Sequence, residues 1–174
     1  MVSDPDLNAL WERHCELEFS AHDAAQTMTT MVAQPYVNHV PTMTGGVGQE
    51  ALHHFYATHF IPKLPADTKL IPVSRTIGDN RIVDELIFCF THDREIDFLL
   101  PGVAPTHKYV EVPLVAIVTF EGDKIANEHI YWDQASVLVQ IGLLDPMGLP
   151  VAGVETARKV LDRSQPSNQL IDRK

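Results

Sequence analysis

Two carboxylates and two histidine-bearing segments are placed where they could move protons. The densest case is Lys124 to Leu144, KIANEHIYWDQASVLVQIGLL. Its first half alternates as a strand does, so Ala126, Glu128, Ile130 and Trp132 share one face and Asn127, His129, Tyr131 and Asp133 the other. Each face joins a carboxylate to an aromatic ring, a base beside a flat apolar surface. After Asp133 the period lengthens to helical spacing through Val137, Leu138, Ile141 and Leu144. The strand therefore runs straight into a helix, with Asp133 at its N-cap. Glu85 is a further carboxylate, on a segment whose two faces both read as apolar.

Other chemistries lack their residue patterns. His53, His54 and His59 crowd one helix, but neither 53/59 nor 54/59 has the four-residue spacing that lets two histidines share a metal. His107, Glu111 and His129 are completed by no aspartate or cysteine and read as a solvated or dimer-facing edge. TMTGGVG lacks the lysine of a phosphate loop. Cys15 and Cys89 stand apart, outside any metal or redox spacing, and read as reduced thiols. The expectation is a protein working without metal or cofactor.

Lysine and arginine total 13 against 23 aspartates and glutamates, a formal charge of −10, and no basic cluster interrupts that balance. Nucleic acid is thereby excluded as a partner, because backbone binding needs clustered cations. The start, MVSDPDLN, has neither the basic nor the apolar region of a signal peptide, and no apolar run approaches the roughly 20 residues that span a bilayer. These features point to a cytoplasmic protein with no membrane contact.

The elements that must position these groups follow in order. Ser3, with Pro5 and Asp6, opens a helix whose one side runs Leu7, Leu10, Trp11, His14, Leu17 and Glu18, apolar first and polar later. His14 reads there as a half-buried packing residue. Ser20 and Asp23 open a second helix, carried through Ala24, Ala25, Met28, Met31 and Val32 until Pro35 stops it. Tyr36 to Val40 reads as a short strand, TMTGGVG as a flexible connection, and Gln49 to Phe60 as a third helix. Strands are expected over Leu70 to Ile77, Arg81 to Thr91, Tyr109 to Phe120 and Ile125 to Trp132, with THDREIDFLLPGVAPTHK as a long hairpin tip. This order suggests an α+β domain in which a bent antiparallel sheet wraps the helices. The domain should span residues 1–144, leaving 145–174 as a tail with a short helix from Val154 to Arg163 and a disordered end.

Several motifs carry a resemblance. They are His22-Asp23 near a helix start, Asn38-His39-Val40-Pro41 closing a strand, Gly48-Gln49-Glu50-Ala51-Leu52 opening a helix, and GDKIANEHIYWD over 122–133. Together, over about residues 5–144, the chain resembles the nuclear-transport-factor-2-like superfamily, and within it the SnoaL-like polyketide cyclases; limonene epoxide hydrolases are more distantly similar. The resemblance implies a cone-shaped curved sheet around the N-terminal helices and a hydrophobic small-molecule pocket. It also implies that Glu128 faces inward with the apolar face of Val110, Val112, Leu114, Ala116, Val118 and Phe120. A carboxylate among aliphatic groups loses solvation, which strengthens it as a base. His39 falls where the family places a pocket asparagine or histidine. The aspartate that works near the end of the family's last strand falls here on Ile130, so that acid is absent, and the polar cluster of epoxide hydrolysis is not reproduced.

The expected catalytic set is therefore Glu128, His39, Glu85 and Asp133, with Trp132, Leu114, Val112, Ile130 and Tyr36 against the substrate. The resemblance implies a cofactor-independent cyclase, isomerase or dehydratase acting on a hydrophobic carbonyl or polyketide-like compound. A non-catalytic binding module of the same fold is the second reading. A homodimer is expected through the outer sheet face at Tyr109, Glu111, Ile117, His129 and Tyr131.

Overall fold

The computed structural model describes residues 5–173. The capping signature at Ser3 lies outside them; the first helix, α1 (Leu7–Phe19), is capped by Asp6, whose side chain accepts from the Ala9 amide. Its buried residues are Leu7, Trp11, His14, Leu17 and Glu18, so the inward stripe begins apolar and ends ionisable. Asp23 caps α2 (Ala24–Thr29) through the Gln26 amide.

The second helix is shorter than its periodicity suggests. Met31 and Val32 belong to β1 (Met31–His39), because Met31 pairs with Ile125 of the last strand. Long-range pairing here overrides a local helical pattern. The glycine-rich connection is also ordered, as β2 (Thr44–Val47), a hairpin partner of β1. Gly45 makes that pairing possible: its φ is +135°, and a Cβ there would stand 2.0 Å from the Val37 carbonyl oxygen. α3 (Gln49–Phe55) runs on through a π-helical turn, Tyr56–Phe60, and a 3-10 turn, Ile61–Lys63.

Four long strands follow: β3 (Lys69–Ile77), β4 (Arg81–Thr91), β5 (Tyr109–Glu121) and β6 (Lys124–Trp132). The six-stranded curved sheet has the order β2-β1-β6-β5-β4-β3. Every neighbouring pair is antiparallel except β1 and β6, which run parallel, so the sheet is mixed rather than purely antiparallel. That parallel junction brings the N-terminal segment beside the last strand and sets His39 across from Ile130 and Val37 across from Glu128.

The main core fills the space between the concave face and the helices. A smaller apolar group, Ile71, Ile87, Cys89 and Ala157, lies on the opposite face. It explains why both faces of β4 read as apolar. Ile82, Leu86, Phe88 and Phe90 point into the cone, while Ile87 and Cys89 are covered by α5 (Glu155–Leu161). The tail helix thus packs on the outside of the sheet, against β5, rather than over the mouth. Before it, α4 (Gln134–Gln140) follows β6 directly, capped by Asp133. Among the described residues, no helix is long and apolar enough to cross a membrane.

Candidate active site

A cavity runs into the cone between the inner sheet face and α1. Glu18, Tyr56, His39 and Glu128 supply its polar surface, and its walls are otherwise almost entirely apolar. Its volume is about 60 Å³, room for roughly four to six waters at about 10–15 Å³ each. The long hairpin tip between β4 and β5 folds back to close one end, contributing Phe98 and Leu99. Thr42 and Thr44 hydroxyls both donate to the Phe98 carbonyl, at 2.7 and 2.9 Å. Gln134 bridges the Trp132 indole, 2.6 Å from its Oε1, to the Leu99 carbonyl, 3.0 Å from its Nε2.

The floor is a buried ionic cluster. His14 Nε2 stands 3.0 Å from Glu18 Oε1 and 3.1 Å from Glu128 Oε1. The Tyr56 hydroxyl donates to Glu128 Oε1 at 3.4 Å and lies 3.5 Å from His14 Nε2. His14 Nδ1 is 2.6 Å from Thr30 Oγ1, whose own proton goes to the Thr27 carbonyl, also at 2.6 Å. Thr30 can then only accept, so Nδ1 carries a proton and Nε2 is aimed at the two carboxylates.

Burial opposes the charged form of His14, but Glu18 and then Glu128 outweigh it and hold its pKa up to about 10. Near neutral pH it is an imidazolium that donates at both nitrogens. Burial raises Glu18 against the pull of His14. Burial also keeps the Tyr56 phenol neutral, with both carboxylates adding to the effect. Among the described residues no hydrogen bond reaches Glu128 Oε2, while Glu18 shares the Tyr56 hydroxyl; both side chains retain 4 % exposure and line the cavity. Beside the cluster, Trp11 Nε1 donates to Asp84 Oδ2 at 2.8 Å, and Arg75 neutralises Asp84 at 2.7 Å.

The opposite wall holds His39. It is enclosed by the rings of Phe55, Phe60, Phe98 and Trp132, with centroids 5.4 to 5.9 Å away. Its Nδ1 is buried without a hydrogen-bond partner. Burial pushes its pKa down to about 4 despite the nearby Glu128, so this histidine is neutral at pH 7.

The residues singled out by sequence divide between the cavity and the outside. Glu128, His39, Trp132, Leu114 and Ile130 all line it. Val112 is on the same face but sits fully buried in the core beyond the cavity wall. Glu85 does not reach it: Glu85 pairs across from outward-facing Val115 and accepts from Ser74 Oγ at 2.8 Å. Asp84, one residue earlier, is the inward acid of that strand. Asp133 is exposed, and its carboxylate accepts from the Ser136 amide at 3.1 Å as a helix cap, so it too lies outside. Tyr36 is on the convex face, edge-on to His129 at 5.4 Å, while its neighbour Val37 turns inward. Strand alternation decides all three corrections.

His14, Glu18 and Tyr56 were not among the expected site residues. The signal for the first two was present, since an inward stripe that ends in His and Glu places ionisable groups inside. Tyr56 carried no such signal, because an aromatic at helical spacing reads as core. His14, Glu18 and Glu128 are also the residues that could bind a cation, their ligand atoms lying within 4.8 Å of one another. The histidines of α3 and of the turn after it, by contrast, are on the surface, where His59 Nδ1 meets Asp97 at 2.8 Å.

No family model matches the sequence, and no curated protein does. Solved structures match in fold. A candidate polyketide cyclase from Acidithiobacillus ferrooxidans aligns with a TM-score of 0.64 at 14% identity, covering 82% of this chain and 98% of that one. A candidate SnoaL-like polyketide cyclase from Shewanella putrefaciens aligns at 0.64 and 13% identity, over 80% and 88% of the two chains. A protein of ketosteroid isomerase-like fold from Catenulispora acidiphila, solved in complex with trimethylamine, aligns at 0.56 and 17% identity, over 82% and 96%. This chain has the nuclear-transport-factor-2-like fold. Identities this low establish the nuclear-transport-factor-2-like cone and leave its chemistry to be argued from the side chains.

Proposed function

We propose that the chain is a small enzyme that moves a proton on a hydrophobic carbonyl compound held in the cone, using its own side chains. The observation that carries this reading is Glu128. One of its oxygens is held by His14 and Tyr56, and the other is left without a protein partner at the floor of an apolar cavity. Such a carboxylate is oriented but unspent, which is what a general base needs. It takes a carbon-bound proton at Oε2 while the electron pair moves onto the carbonyl oxygen. The neutral His39 offers that oxygen a hydrogen-bonding ring on the neighbouring strand, in a site of low dielectric where the interaction is strong. Leu114, Ile130 and Trp132 form the surface for the carbon skeleton.

Several ionisable groups retained together favour catalysis over the binding-module reading, which a lone Glu128 bridged to arginine would have favoured. Arg75, which stands beside the cavity, is occupied by Asp84 and Glu12. A cavity of about 60 Å³ suits a small ketone; a polyketide-like substrate requires the hairpin tip carrying Phe98 and Leu99 to move away. The test is washout of α-protons from small cyclic ketones in heavy water, followed by proton NMR. Glu128→Gln keeps the shape and removes the base, so exchange should slow by roughly 10²–10⁴-fold, while Asp133→Asn leaves it unchanged. Equal exchange by wild type and Glu128→Gln would discard the reading.

We also propose a cytoplasmic homodimer. The outer face available for it is narrower than expected, because Arg158 of α5 stands 3.6 Å from Glu111 and occupies that end. Ile117, His129 and Tyr131 remain, and Tyr36 joins them beside His129. Sedimentation at about 50 μM should show a dimer, and a single monomeric species would remove the idea.

A further inference from the structure

The ionic cluster is short of one positive charge. Glu18 and Glu128 are two carboxylates on a single imidazolium, all three buried to 3 % exposure or less. The remaining polar groups within reach are neutral: the Tyr56 phenol and the Cys15 thiol, both pushed up by burial, and His39. Arg75 cannot supply the charge, since Asp84 holds two of its nitrogens at 2.7 and 3.1 Å. An uncompensated carboxylate in low dielectric is costly and either captures a proton or finds a cation.

The surroundings favour one kind of cation. A metal ion needs four to six ligand atoms, mostly oxygen, nitrogen or water, and the cluster presents three beneath an apolar vault. The walls above it are rings: Trp11, Phe19, Tyr56, Phe60, Phe98 and Trp132. Aromatic faces attract alkylated ammonium groups, whose charge is spread over a greasy surface.

We infer that the cavity is built for a small ligand carrying a protonated nitrogen, which the Glu18 carboxylate receives while aromatic rings enclose its carbon substituents. Resting on the proton-transfer reading, this inference adds a substrate class to it, amino-carbonyl compounds. A positive nitrogen beside a carbonyl withdraws electrons from the intervening C–H bond and eases its removal by Glu128. Glu18 then holds the substrate and Glu128 does the chemistry.

The protein's two tryptophans, Trp11 and Trp132, both line the cavity, so intrinsic fluorescence reports its occupancy directly. The experiment titrates the full chain at pH 7 and constant ionic strength with trimethylammonium chloride and with tert-butanol, a neutral hydrogen-bond donor that carries the same three methyl groups. The ammonium should bind at least about tenfold more tightly, the ratio of one charge-assisted contact. Glu18→Gln should erase that preference while leaving the tert-butanol affinity in place. The comparison between the two probes on the wild type stands even where the variant does not fold. Equal affinities, binding of neither probe, or a preference that survives in folded Glu18→Gln would each overturn the inference. So would stoichiometric uptake of Mn²⁺ or Zn²⁺ that blocks the ammonium, which would assign the missing charge to a metal. An ammonium preference with Glu128→Gln still active in proton washout would leave this inference standing and remove only the proton-transfer reading.

Discussion

His14 and His39 are both fully enclosed histidines lining or bounding one cavity, yet their environments drive them in opposite directions. His14 sits between two carboxylates with a threonine fixing its far nitrogen, and it is held charged up to about pH 10. His39 sits among four aromatic rings with a nitrogen unpartnered, and it stays neutral down to about pH 4. Burial alone penalises the imidazolium in both places. The difference is supplied by the neighbours, opposite charges on one side and ring faces on the other. The two ends of the cavity therefore differ in kind: one is a charged floor and the other a neutral apolar wall, and in the proposed function the first would fix the base and the second would contact the ligand.

The sharpest way to break this contrast is to remove each histidine. His14→Leu leaves two carboxylates buried without their cation, and at pH 7 it should destabilise the fold by about 3–5 kcal/mol in urea denaturation. The loss should shrink towards pH 5 as Glu18, whose pKa burial raises, takes up a proton. A cost no larger than that of His39→Leu would show that the cluster is not the ionic unit described above.

Next in size is the pH dependence of stability. His14 has a folded pKa of about 10 against an ordinary 6.5, so its contribution is complete below about pH 6.5 and is lost as pH rises through 10. Glu18, raised as well, acts with the same sign. His39, at about 4 against 6.5, contributes above pH 6.5 and loses that contribution as pH falls through 4. Urea midpoints measured from pH 4 to 10 should fall at both ends. His14→Leu should flatten the alkaline limb above pH 7 and His39→Leu the acidic limb; a variant that leaves its own limb unchanged refutes the assignment.

The smallest effect belongs to His39→Leu at pH 7. It replaces a neutral ring with an unpartnered nitrogen by an apolar side chain of similar volume, so the loss should stay within about 1.5 kcal/mol. Proton washout should still fall in this variant, because the proposed reading gives His39 the substrate oxygen; unchanged washout would make His39 a packing group only.

The sequence determined more of the scaffold than of the site. Alternation over 110–120 and 126–132, the capping aspartates and the paired turns were enough to place the long strands, their inward faces and the final helix, because these are local periodicities. Glu128 could be placed inward for the same reason, with the family resemblance choosing between two faces. Where two faces were equally apolar, as on β4, local pattern could not choose. Only the packing of α5 over Ile87 and Cys89 shows that Asp84 points in and Glu85 out. The reach of β1 back to Met31 depended on a parallel partner some 90 residues away, which no local helical count reveals. What the tertiary structure alone decided is the chemistry: His14 and Glu18 arrive from α1, Tyr56 from the turn after α3 and Glu128 from β6, and their protonation is set by distances near 3 Å across elements far apart in the chain. Electrostatic coupling depends on separation in space and on exclusion of water, and neither is written in the order of the residues.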